Sequence, residues 1–246
     1  MNDSELFYII NLVFRAGLDS RSVVIPHERK LNLCDSSGDS TVWMEGDFFM
    51  LKTNSKTHFI VCIAILGALS GVLMLLEFPL PIAPPFYKVD LSDVAALIGG
   101  FGLGPMAGVL ICLVKVLISI VLDGTKTAFV GEFAAFLMDG TFVFVSSLIY
   151  QKKHDKKGAI ISLLCGVIAL TLMGMVANYY LMVPAYVKFM NFPLEAIIGM
   201  GSAINANVNS LWTLILFCTA PFNLVKGLII SVLTFVLYKR VSPLLK

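Results

Sequence analysis

The chain has 246 residues, of which 58% are hydrophobic and 14% are charged, and its mean hydropathy is +0.88. Soluble domains are about half apolar and about one quarter charged, so this composition excludes an ordinary soluble protein. The formal net charge of +2 hides an asymmetry, because half of the 16 acidic residues precede residue 48, whereas 14 basic and 8 acidic residues follow it. The basic excess favours membrane topology over a nucleic-acid partner, since the lysines cluster beside predicted helix ends.

Long uncharged runs recur from residue 50 onward, and each is near the roughly 20 residues that a helix needs to cross a bilayer. We expect an all-α integral membrane domain over residues 50–246, with six transmembrane helices. The stretch EFPLPIAPPFYK, with four prolines in seven residues, ends the first helix. The predicted helices cover about 58–76, 90 to the glycines of GGFGLGP, 105 to about 122, 127–150, 159–183 and 220–238, and a long connection, 184–219, joins the last two.

Residues 1–49 have a different, acidic composition, and acidic rather than basic residues precede the apolar ELFYIINLVF, which is unlike a secretory signal. We expect a poorly structured tail, or a translation start at Met44 or Met50 that makes the tail an upstream read-through. Four of the five cysteines lie in apolar runs, and no cysteine or histidine spacing indicates a metal site. No GxxxxGK[ST], HExxH or GxSxG motif occurs, so a membrane enzyme is the weaker class.

Basic residues flank three of the predicted helix ends. They precede helix 1 and follow helices 4 and 6, at Lys52, Lys56, Lys152, Lys153, Lys156, Lys157, Lys239, Arg240 and Lys246. With six helices all three clusters fall on one side of the membrane, which the positive-inside rule makes cytoplasmic. Both termini are then cytoplasmic, and the proline loop and the 184–219 connection face outward.

Three predicted helices carry polar side chains near their outer ends. Counting 1.5 Å per residue places Glu132, Asn178 and Lys226 about 8 to 9 Å deep and Asn223 about 5 Å deep. A lysine stem can snorkel to the headgroups, but Asn223, one turn from Lys226 on the same face, cannot reach so far. We therefore expect a cavity open to the outside, in which water or a polar ligand satisfies these groups.

Two further features concern helix contacts. Lys115 and Asp139 lie near mid-membrane on predicted antiparallel neighbours, where a structural ion pair is the preferred interpretation and a proton relay the alternative. In helix 1, the stretch CIAILGALSGVL sets two pairs of small residues four apart on adjoining strips, Ala64 with Ala68 and Gly67 with Gly71. Small residues at this spacing allow another helix to approach closely, within the chain or from a partner.

Four ordered motifs carry a family resemblance: LEFPLPIAPPFYKVDLSDVAALIGGFGLGP from residue 76, TKTAFVGEFAAFLMD from 125, ANYYLMVPAY from 177, and PFNLVKGLIISVLTFVLYKRVSPLL from 221. Together they resemble the riboflavin-specific substrate-binding subunits, or S components, of energy-coupling factor (ECF) vitamin transporters, from about residue 50 to the C-terminus. The resemblance implies a six-helix subunit of a bacterial cell membrane that captures riboflavin at its outer face and needs no cofactor. It also implies a transmembrane coupling (T) subunit and two ATPase (A) subunits as partners.

The resemblance also assigns residues. The implied flavin site consists of primary, secondary and weaker candidates, in that order: Asn178, Asn223 and Lys226; Tyr87 and Lys88 of the proline loop; Gly131 and Glu132. The implied contact with the coupling subunit involves the helix 1 strips of Ala64, Ala68, Gly67 and Gly71. The chemistry agrees, because an asparagine can accept from the flavin imide N–H while donating to a ring carbonyl, and a lysine can donate to a carbonyl or ribityl hydroxyl. Tyr179, Tyr180 and Phe222 are candidates to wall the planar ring.

Other functions remain open at this level. A self-sufficient secondary transporter is one, although the chain has no clear inverted repeat of broken helices. An S component for another vitamin, such as thiamine or biotin, and a membrane enzyme acting on a lipid or flavin precursor are the others.

Overall fold

The computed structural model describes residues 55–79, 84, 87–125 and 129–241, with side chains from residue 59 to residue 238. The predicted acidic tail, its boundary at residue 49 and the alternative starts at Met44 and Met50 lie outside the described residues. The chain divides into two units, Met1–Val61 and Cys62–Lys246. All contacts given below lie within the second unit.

The described residues are mostly helical, with one short antiparallel hairpin between the first two helices. In this hairpin Phe78–Pro79 (β1) pairs with Lys88–Val89 (β2). The helices are α1 Ser55–Met74, α2 Ser92–Leu103, α3 Pro105–Asp123, α4 Val130–Tyr150, α5 Lys156–Ala177, α6 Val183–Phe189, α7 Leu194–Ser202, α8 Leu211–Leu214 and α9 Ala220–Val241.

The sequence sets several helix ends directly. Gly104 separates α2 from α3 and has a φ of 107°, which residues other than glycine rarely adopt. Pro105 is the first residue of α3, where a backbone N–H would have no partner within the helix in any case. The Asp155 carboxylate caps α5 by accepting from the backbone N–H of Gly158 at 2.7 Å. Ser210 and Thr213 form a reciprocal capping box that starts α8.

Two π-helical turns lie within long helices. Asn178–Met182 joins α5 to α6, and Ile215–Thr219 joins α8 to α9, so the chain forms continuous helical stretches over Lys156–Phe189 and Leu211–Tyr238. The two turns pack against each other. Turns of this kind are frequent at functional sites.

Each of the six predicted helices has a counterpart, but two of the predicted ends are wrong. Helix 5 continues to Phe189 and helix 6 begins at Leu211, so the long connection shrinks to 190–210 and contains α7. The depths counted from the wrong ends change accordingly. About 16 Å of helix lies beyond Asn178 and about 18 Å precedes Asn223, whereas Glu132 is only about 3 Å from the start of α4.

Four helical stretches among the described residues are long and apolar enough to cross a bilayer: Pro105–Asp123, Val130–Tyr150, Lys156–Phe189 and Leu211–Tyr238. The apolar part of α1, Phe59–Met74, and α2 are shorter. The short α2 lies at the centre, since it packs on α3, α4 and α9 and ten of its 12 residues are buried. Polar side chains at the start of α2 are therefore placed in the middle of the bundle.

Candidate substrate-binding site

Tyr87 connects the hairpin to both π-helical turns. Its hydroxyl donates to Asn178 Oδ1 at 2.9 Å and lies 2.7 Å from Thr219 Oγ1. Its ring is tilted against the Phe222 ring, with the centroids 5.0 Å apart. Burial raises the pKa of the Tyr87 hydroxyl, so this group stays protonated and remains a donor. The loop is thereby fastened to the first residue of one turn and the last residue of the other.

The two predicted asparagines meet at Gly174 of α5. Asn178 Nδ2 donates to the Gly174 carbonyl at 2.7 Å, and Asn223 Nδ2 donates to the Thr219 carbonyl at 3.1 Å. A Cβ atom on Gly174 would lie 2.3 Å from Asn223 Nδ2, so only glycine leaves room for this amide. Both asparagines are buried, and the prediction that they converge is supported by this geometry.

Lys226 lies one turn beyond Asn223 and is also buried. Its Nζ is 3.2 Å from Asp139 Oδ1, 3.2 Å from Asp93 Oδ2 and 3.6 Å from Asp90 Oδ2. Carboxylates of the protein therefore balance its charge, and one of them, Asp139, also accepts a hydrogen bond from it. That a ligand or water satisfies the rest of this ammonium stays a prediction. The ammonium still borders the asparagine site through its position on α9.

Lys115 completes a buried cluster of charges. Its Nζ lies 2.5 Å from Asp139 Oδ2 and 2.6 Å from Asp93 Oδ1, and it donates to Ser92 Oγ at 2.8 Å. The predicted Lys115–Asp139 ion pair is confirmed, but it is part of a larger group. We call the five side chains Asp90, Asp93, Lys115, Asp139 and Lys226 the charge network.

The sequence reasoning missed Asp90, Asp93 and Thr219. Asp90 lies two residues before the start of α2, where its Oδ1 accepts from the Ser92 N–H at 3.0 Å and its other oxygen faces Lys226. Asp93 lies in the first turn of α2, where an acidic side chain is usually exposed, yet it is fully buried. A charge count held the missing signal, because two lysines at depth paired with Asp139 alone leave one uncompensated positive charge.

The secondary candidates lie in different surroundings. Lys88 forms an ion pair with Glu77 across the hairpin, and both side chains are about two-fifths exposed. Gly131 and Glu132 are in the first turn of α4, where Glu132 is close enough to Tyr186 of α6 to interact electrostatically. A role for these residues in binding stays a prediction.

The three candidate aromatic residues separate. Phe222 is buried beneath Tyr87, whereas Tyr179 and Tyr180 are 37% and 69% exposed. Tyr179 makes edge contacts with Tyr180 and with Trp212, outside the asparagine site. Of the three, Phe222 is the one that the structure places beside the site.

The small residues of α1 divide between two faces. A Cβ on Gly67 would lie 2.5 Å from Val114 Cγ1, and one on Gly71 would lie 2.7 Å from Ile118 Cγ2, so both glycines serve the contact between α1 and α3. Ala64 and Ala68 point away from the bundle and are exposed. Of the two strips, the alanine strip is the exposed one, and a contact of either strip with a partner stays a prediction.

A bundle of apolar helices that buries amides and a charge network defines a multi-pass membrane protein with an internal polar site. Residues 58–238 match the family model for the substrate-specific component of ECF transporters. The chain therefore belongs to the family of ECF transporter S components.

Individual relatives agree with this assignment. The chain is 30% identical over 189 residues to the protein named "Riboflavin transporter FmnP" of Bacillus subtilis (strain 168), an alignment that covers 76% of this chain and 94% of that protein. It is 32% identical over 187 residues to "Riboflavin transporter RibU" of Staphylococcus aureus (strain TCH60), with coverage of 76% and 92%. A solved structure described as "Structure and mechanism of the S component of a bacterial ECF transporter" matches with 31% identity and a TM-score of 0.61, over 78% of this chain and 99% of that one.

These comparisons confirm several expectations. The all-α S-component fold is confirmed, and the family is one of transporters rather than enzymes, which implies no cofactor. The predicted number of six membrane crossings, the positions of the termini and the residues of the site stay predictions.

Proposed function

We propose that this chain is the riboflavin-binding S component of an ECF vitamin transporter. Support comes from family membership and from relatives named riboflavin transporters, which the chain covers over 94% and 92% of their length.

The observation that carries the proposal is the convergence of Asn178 and Asn223 at Gly174, one turn from Lys226 and beneath Tyr87. The pyrimidine edge of the isoalloxazine ring presents an imide N–H between two carbonyls. An amide side chain matches this edge because it accepts and donates side by side, and two amides with an ammonium supply the remaining donors. Phe222, buried beside them, offers an apolar surface to the ring.

Binding requires a change in the contacts of Tyr87. Its hydroxyl now donates to Asn178 Oδ1, the oxygen that would accept from the flavin imide. In this proposal a flavin at Asn178 takes the place of this hydroxyl, and the hairpin with Lys88 and Glu77 moves with it. Tyr87 and its loop act in this proposal as the cover of the site.

Transport requires partners outside this chain. We propose that the exposed strip of Ala64 and Ala68 contacts a T subunit, which carries two A subunits that hydrolyse ATP. Small residues on an outward helix face allow a partner helix to approach closely. In the proposed orientation the lysine clusters and both termini are cytoplasmic, and the hairpin covers the site from outside.

Flavin fluorescence quenching on the detergent-purified chain tests the binding proposal. Wild-type protein should quench riboflavin saturably, and Asn223→Ala should raise the Kd at least about tenfold, because it removes a buried hydrogen-bonding group. The control is Asn207→Ala, the same change at an exposed position in the 190–210 connection. Absence of quenching by the wild type, or an unchanged Kd in Asn223→Ala, would contradict the proposal.

A further inference from the structure

Lys226 is a buried lysine whose charge is balanced by carboxylates of the protein itself. Its ammonium faces three carboxylates that come from two separate parts of the chain, Asp90 and Asp93 around the start of α2 and Asp139 in the middle of α4. Of the three N–H donors of the ammonium, one is hydrogen-bonded to Asp139, while the Asp93 and Asp90 carboxylates attract the charge from 3.2 and 3.6 Å. The position of this charge is therefore set by residues on other helices.

Two of the carboxylates bridge both lysines. Asp93 forms an ion pair with Lys115 through Oδ1 and with Lys226 through Oδ2. Asp139 forms an ion pair with Lys115 through Oδ2 and with Lys226 through Oδ1. Two carboxylates and two ammonium groups thus form a closed ring in which each charged group has two opposite neighbours. Lys115 is fully buried and also donates to Ser92 Oγ, so its position in the ring is fixed by a further contact.

The third carboxylate connects the ring to the cover of the site. Asp90 follows Tyr87 by three residues and the strand residue Val89 by one, and Val89 packs with Phe222 beneath Tyr87. Asp90 Oδ1 accepts from the Ser92 N–H, and Asp90 Oδ2 lies 3.6 Å from Lys226 Nζ. The segment from Tyr87 to Asp93 therefore touches the asparagine site at one end and the lysine at the other.

We propose that Asp93 and Asp139 are positioning residues for substrate binding, which hold the Lys226 ammonium in the orientation that the substrate meets, and that Asp90 ties this orientation to the covering loop. The inference rests on the proposed riboflavin function. None of the three carboxylates touches the flavin in this scheme, and each acts through Lys226. A purely structural role would instead affect folding alone.

A double-mutant cycle on riboflavin affinity tests this inference, because it measures whether Asp139 acts through Lys226. The four proteins are the wild type, Asp139→Asn, Lys226→Met and the double variant, all titrated by flavin fluorescence quenching. We expect Asp139→Asn to raise the Kd about tenfold in the wild type but less than about twofold in the Lys226→Met background. The double variant should also melt at a higher temperature than Lys226→Met, because it removes surplus buried negative charge.

A variant outside the ring of Asp93, Lys115, Asp139 and Lys226 provides a second test if Asp139→Asn or Lys226→Met folds poorly. Asp90→Asn keeps an oxygen that can accept from the Ser92 N–H and removes one charge facing Lys226. It should raise the Kd about threefold, whereas Thr234→Val, buried two turns beyond Lys226 on α9, should leave it unchanged.

The outcomes separate the two proposals. Additive effects of Asp139→Asn and Lys226→Met, or an unchanged Kd in both Asp90→Asn and Asp139→Asn, would overturn the positioning role while wild-type binding preserves the proposed function. Failure of the wild type to bind riboflavin would overturn both.

Discussion

Replacing Tyr87 with phenylalanine should tighten riboflavin binding. The substitution keeps the ring that packs on Phe222 and removes only the hydroxyl, which bonds Asn178 at 2.9 Å and Thr219 at 2.7 Å. If the flavin imide takes the place of the hydroxyl at Asn178, those two bonds exist before binding and are lost upon it. The variant has no such bonds to lose.

The magnitude follows from the net value of a hydrogen bond, which is about 1 kcal/mol. Loss of one to two such bonds costs the wild type about 1 to 2 kcal/mol on binding, which corresponds to about 5- to 30-fold in Kd. Tyr87→Phe should therefore bind about tenfold more tightly and associate faster, as measured by equilibrium quenching and stopped-flow fluorescence. Tyr87→Ala should bind more weakly, because it also loses the ring that covers the site.

A matched control removes a tyrosine hydroxyl elsewhere. Tyr150 and Tyr238 share a hydroxyl–hydroxyl hydrogen bond at the opposite end of the bundle, so Tyr150→Phe should leave the riboflavin Kd unchanged. Weaker binding by Tyr87→Phe would mean that the hydroxyl contacts the flavin directly. Unchanged binding would mean that it does not compete at all, and either result would refute the displacement argument.

Two further predictions concern close helix contacts. Gly174→Ala should raise the Kd for riboflavin about tenfold with the fold retained, because the new methyl group displaces the Asn223 amide. The control is Gly199→Ala, which should bind normally because nothing lies within 4 Å of the added Cβ. Equal quenching curves for the two variants would count against the site. Ala68→Leu should keep riboflavin binding and melting temperature but lose co-purification with the T subunit, while Gly67→Leu should melt earlier because its side chain meets Val114. Retained co-purification of Ala68→Leu would exclude this strip as the interface.

The sequence alone predicted those features that follow from hydropathy or from a single charged residue within an apolar run. Uncharged runs predicted the helices, and the isolated Lys115 and Asp139 predicted an ion pair, because each charge at depth needs an opposite one. The common depth of Asn178 and Asn223 was predicted from two helix ends that were both placed too close to these residues, by six and nine residues, so the two errors nearly cancel.

The missing parts depend on the path of the chain between helices. Asp90 and Asp93 have the sequence signature of an exposed helix start, and only the central position of the short α2 brings them to Lys226 and Lys115. Hydropathy does not encode that position, since a short apolar helix can lie anywhere in a bundle.

The helix ends were misplaced for a related reason. Pro184 normally ends a helix, but here the Val183 N–H bonds back to the Asn178 carbonyl in the wider π pattern, and the helix resumes with Pro184 in its first turn. At the other end, Ser210 and Thr213 form a capping box that the polar run NANVNS concealed.

The charge network also bears on how the protein is made. Its members are spread along the chain from Asp90 to Lys226, and the last one belongs to the final helix, α9. During synthesis three acids and a single lysine precede that helix, so the earlier segments carry surplus negative charge until α9 arrives. Entry of α9 into the bilayer adds the second cation, which lowers the surplus negative charge of the network from two to one.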